Sequence, residues 1–175
     1  MSTLWLLGLI TALVAKGTVV PIPWLSTANA FTIGSVVAIV FVVALLAFFR
    51  NEISRLESFT PARWILLDSA IVGLAWALLW GLALDQLIDY QVPYAFGIAA
   101  AIGIVAGQWL PTDTLVLVLV GLLVLQTALW SMLGDTPLQY LCFFLCIPRI
   151  GFMVPLSALG MMAVISALPD YKRRD

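Results

Sequence analysis

Few residues in this chain can do chemistry, and one of them stands in an awkward place. Arg149, in Cys146-Ile147-Pro148-Arg149-Ile150-Gly151, lies inside the long apolar run from Leu138 to Pro169. The proline removes a backbone donor, the guanidinium keeps its charge at any working pH, and the glycine loosens the turn. An arginine at the centre of a bilayer costs roughly 3 kcal/mol or more unless it is paired or reaches water. Asp85, at the end of another apolar stretch, is the carboxylate expected to answer it; the plainer alternative is an arginine that meets lipid phosphates. Gln126, a little past the middle of an apolar stretch, and Trp76, one turn before Trp80 in mid-stretch, complete the set. Convergence of Arg149, Asp85, Gln126 and Trp76 on one cavity would make a polar site for a small solute. The plainer readings are an amide bonded to a neighbouring helix for about 1 kcal/mol and a tryptophan pair used for packing.

Enzyme chemistry is the less favoured class. The chain has no histidine, which removes the usual acid/base at neutral pH and the commonest metal ligand. If their segment is helical, Cys142 and Cys146 lie on one face at i and i+4, but two thiols do not close a tetrahedral metal site. No acid cluster of the DxxD kind is present to hold a catalytic metal. Asp68 and Asp85 sit at opposite ends of one apolar stretch, too far apart to share a proton as a catalytic pair. No catalytic residue, metal or cofactor is therefore expected. A net charge of −1 offers no basic footprint for nucleic acid.

The elements that must position these residues follow from composition. Of 175 residues, 63% are hydrophobic and 10% charged, with a mean hydropathy of +1.13; soluble domains carry about 25% charged residues. The expectation is an all-α, polytopic integral membrane protein, a single domain of about six transmembrane helices, the last one broken near Pro148 or Pro155. The spans read as about 4–24, 30–49, 64–84, 94–109, 114–133 and 151–168, with a half-helix or re-entrant piece at 138–148. The first is read as an uncleaved helix with Lys16 snorkelling from its outer half.

Small residues predict where helices touch. Ser69, Gly73, Ala77, Gly81 and Asp85 fall four apart on the third span, and Gly103 and Gly107 form a GxxxG on the fourth. Such stripes let backbones approach closely in lipid, so these two spans are expected to form a tight antiparallel hairpin.

Arg50, Arg55 and Arg63 gather in one loop and Lys172, Arg173 and Arg174 at the end, whereas the turn with Asp85 and Asp89 has no positive charge. By the positive-inside rule both termini are cytoplasmic, in a membrane of the prokaryotic cytoplasmic kind. Arg149, Asp85 and Asp135 then come to the outer side, and Asp68 to the inner side, near Arg63 or Arg50. The expected partners are the lipid bilayer and a second copy of the chain or other membrane subunits. The expected function is that of a small-solute transporter, a channel or the membrane-embedded subunit of a transport complex. The competing class is a non-catalytic structural or assembly subunit.

Overall fold

The computed structural model describes residues 2–20, 31–49, 63–133, 142 and 150–172, and their fold is all-α. Six helices follow in chain order among them: α1 (Ser2–Val14), α2 (Ile33–Phe49), α3 (Arg63–Leu84), α4 (Gln91–Gly107), α5 (Thr112–Leu133) and α6 (Ile150–Lys172). A two-residue antiparallel pair, β1 (Val19–Val20) with β2 (Phe31–Thr32), connects the end of α1 to the start of α2. By length and composition two helices can cross a membrane, over Leu66–Leu84 and Gly151–Leu168.

The helix with the smallest side chains is the one at the centre. Gly97, Ala99, Ala100, Ala101 and Gly103 make α4 thin, so neighbours close on it from several sides, and between Gln91 and Ala100 every residue except Ile98 is buried. Its most extensive contacts are with α6 and then α2, while α3 and α5 flank it more lightly. A Cβ added at Gly97 would stand 2.8 Å from the Ser157 carbonyl oxygen on α6. One at Gly103 would stand 3.1 Å from Leu46 Cδ1 on α2. The first helix is held by rings: Trp5 stacks on Phe41 of α2 at 4.7 Å and meets Phe96 of α4 edge-on at 6.0 Å. Gly8 makes room for this, since a Cβ there would lie 2.7 Å from Phe41 Cε1.

Three expectations are corrected. The first helix does not run over 4–24 but stops at Val14. Gly17 takes φ +68, a conformation glycine enters without a Cβ clash, and the chain leaves as β1. At 13 residues α1 is about 20 Å long, short of the hydrocarbon thickness of about 30 Å.

Second, α6 continues without interruption through Pro155 and on to Lys172. A proline in the second turn forfeits only its bond to the Gly151 carbonyl, and the helix tolerates that loss. Pro148 and the piece at 138–148 lie outside the described residues, apart from Cys142, which is buried.

Third, the small-residue stripe of α3 is not the seam of a hairpin with α4. The buried row of α3 is Asp68, Val72, Leu79, Trp80 and Ala83, with Trp76 half-buried in it. Gly73, Ala77 and Gly81 lie one residue or more out of phase with that row, about 100° further round the helix per residue. A Cβ at Gly73 or Gly81 would meet nothing within 4 Å. Gly103 keeps its role as a close-packing residue, but against α2, and Gly107 is buried at the far end of α4.

Candidate functional site

The buried rows of α3 and α6 meet in a small polar arrangement. Ser157 is fully buried on α6, in the row Met153, Ser157, Met161, Val164 and Leu168 that i, i+4 spacing creates. Its hydroxyl donates to the Val154 carbonyl at 3.0 Å and accepts the indole N–H of Trp80 at 3.2 Å. Trp76, one turn earlier on α3, meets Trp80 edge-to-face, with centroids 6.4 Å apart and planes at 72°. Trp76 Nε1 is buried and has no hydrogen-bond partner among the described residues. The pair therefore offers one satisfied indole donor and one unsatisfied donor inside an otherwise apolar contact.

A second polar arrangement closes one end of the fold. Helix α3 ends in a Schellman turn: Gln86 N–H donates to the Ala83 carbonyl and Leu87 N–H to the Leu82 carbonyl, both at 2.9 Å. The residue in the left-handed position is Gln86, at φ 58, where glycine is usual. The Lys16 ammonium donates to the Gln86 carbonyl, and Gly17 N–H donates to Asp89 Oδ2 at 3.1 Å. Ile33 N–H donates to the Thr18 carbonyl at 3.1 Å. The ends of α1 and α3 and the starts of α2 and α4 thus meet at one level, with Lys16, Asp85, Asp89 and Tyr90 as its titratable groups among the described residues. Lys16, expected to snorkel, donates to this contact.

Below that end lies an apolar groove of about 460 Å³. Helix α1 supplies Trp5, Leu6 and Leu9, α2 supplies a floor of Phe41 and Leu45, and α3 supplies a wall that includes Ala75 and Leu78. A shallower apolar hollow of about 660 Å³ lies over Ala106, near the end of α4, and Trp109, two residues past that end.

The candidates named from sequence fall in different places. Arg149 lies outside the described residues, and with it the ion pair to Asp85. Asp85 is exposed at the end of α3. Trp76 is nine residues earlier on the same helix, about 14 Å along the axis. Gln126 is buried on α5, at 4% exposure, in the row of Leu115 and Leu119, on a helix that packs against α4 and α2. Asp68 is buried at 7% exposure, while its expected partners, Arg50 and the Arg63 side chain, lie outside the described residues.

Sequence reading passed over Ser157, Ser35 and Gln91, all buried. For Ser157 a signal existed, since Ser157 and Gly160 are small residues at i and i+3 on one face. Their counterpart on α4, Gly97, cannot be matched to them without the tertiary arrangement. Among the described residues no three His, Cys, Asp or Glu side chains gather where they could hold a metal ion. Comparison of the chain with protein-family models, with curated proteins and with solved structures finds no match.

Proposed function

We propose that this chain is a polytopic integral membrane protein of a prokaryotic cytoplasmic membrane, with both termini cytoplasmic, and works as the membrane-embedded subunit of a larger complex. One observation carries the membrane part: the long apolar helices are exposed. Only 28% of the residues in Leu66–Leu84 and in Gly151–Leu168 are buried, and Leu74 and Phe152 stand at 69% and 70% exposure. In water such faces would associate indiscriminately; in lipid they are at home. The subunit part is supported by the outward stripe Gly73, Ala77 and Gly81, whose open surroundings allow another helix to approach the α3 backbone.

A second reading, passage of a small solute, is favoured by the buried Gln126 and by the unsatisfied Trp76 donor. Polar groups inside an apolar bundle are what a solute path uses.

Two measurements test these readings. The full chain, expressed in a bacterial host, is expected to stay in the membrane pellet through alkaline carbonate washing; release into the supernatant would end the membrane reading. With Cys142 and Cys146 replaced by Ala, single cysteines at Ala77 or Gly81 are expected to cross-link to a second copy or to another subunit, and one at Val120 on α5 is not. Equal cross-linking at all three positions, together with solute flux from liposomes holding the purified chain, would favour the second reading.

A further inference from the structure

We propose that the groove between α1 and α3, with the polar end above it, is a binding site for one zwitterionic phospholipid of the ethanolamine type. The proposal rests on the membrane reading given above. The groove is lined by apolar side chains from three helices, and its walls α1 and α3 are tied together at one end, by Lys16 on the Gln86 carbonyl and Gly17 on the Asp89 carboxylate. An apolar cavity of about 150 Å³ holds one benzene, so about 460 Å³ takes roughly eighteen carbons, the size of one long acyl chain. Leu9 in the groove lies five residues before the end of α1 at Val14, about 8 Å along the helix, and Lys16 at the tie follows that end by two residues. Leu13, exposed on α1, continues the apolar row between them.

Charge identifies the head. The Lys16 ammonium has three donors and spends one on Gln86, which leaves two for a phosphate. Asp85, the residue before Gln86, is exposed, and its carboxylate is suited to an ammonium with N–H donors. A phosphoethanolamine head carries both partners at short separation. A phosphocholine head lacks the N–H donors, and an anionic phosphoglycerol head brings no cation to Asp85 and Asp89.

The test is native mass spectrometry of the full chain, extracted from membranes in mild detergent and titrated with ethanolamine, choline and glycerol phospholipids of the same acyl chains. One ethanolamine lipid per chain is expected to be retained in preference to the other two. Lys16→Gln, an exposed position, is expected to weaken that retention about tenfold. Ala75→Phe fills the groove and is expected to abolish retention, with helix content by circular dichroism confirming that the variant is folded. Equal retention of all three lipids, or unchanged retention of the ethanolamine lipid in Lys16→Gln, overturns the site whether or not Ala75→Phe folds, and leaves the membrane reading standing. A chain recovered soluble without detergent overturns both.

Discussion

Gly160 on α6 sits directly against the backbone of Gly97 on α4: a Cβ added at Gly160 would stand 2.6 Å from the Gly97 carbonyl oxygen and 3.0 Å from its carbonyl carbon. The obstacle is main chain, which no rotamer change can clear. The pair sets the spacing of the two helices that share the most extensive contact in the fold.

Gly160→Ala is accordingly expected to destabilise the bundle by about 2 kcal/mol or more, through forced separation of α4 and α6. Gly97→Ala should do the same. Gly73→Ala and Gly81→Ala are expected to be neutral or to add up to about 1 kcal/mol, because both sites are open and alanine is the better helix former. Thermal unfolding of the four variants in detergent checks the contrast. Similar losses in all four would mean that the α3 stripe is packed after all.

The two tryptophans of α3 should respond oppositely to the same change. Trp76→Phe removes a buried donor that has no partner among the described residues, so little loss or a small gain in stability is expected. Trp80→Phe removes the donor to Ser157 and should cost about 1 kcal/mol. Ser157→Ala is expected to cost about 1 to 3 kcal/mol, since it leaves the Trp80 N–H buried and unpaired. A double-mutant cycle between positions 80 and 157 measures the coupling. A marked loss of stability or of partner binding in Trp76→Phe would show that the indole has an acceptor in the membrane.

Gln86 holds a left-handed backbone at the end of α3, where a side chain crowds its own carbonyl. Gln86→Gly is expected to raise stability by about 1 kcal/mol. The Lys16 contact is to the main-chain carbonyl, so it survives the substitution. A lower melting temperature would mean that the glutamine side chain makes a contact worth more than the relief of strain.

Sequence alone determined that the described residues form an all-α fold, because apolar runs of this length with so little charge leave the backbone no better way to satisfy its hydrogen bonds than helices. It located α3 at 64–84 and α5 at 114–133 within two residues of the observed starts, and it identified the fourth helix as the thinnest. Only the tertiary structure decided what that thinness is for. Gly97 admits α6 and Gly103 admits α2, so α4 became the centre, whereas Gly73, Ala77 and Gly81, the more regular stripe, turned outward. The reason is phase: a four-residue repeat says that small residues share a face, and only the partner helices say which face is buried. The same holds for the polar residues. The sequence could mark Lys16, Asp85, Gln126 and Trp76 as unusual in apolar surroundings, but the contacts of Lys16 with Gln86 and of Trp80 with Ser157 span 70 and 77 residues of chain. Pairings at that distance are set by how the helices pack, which no local spacing records.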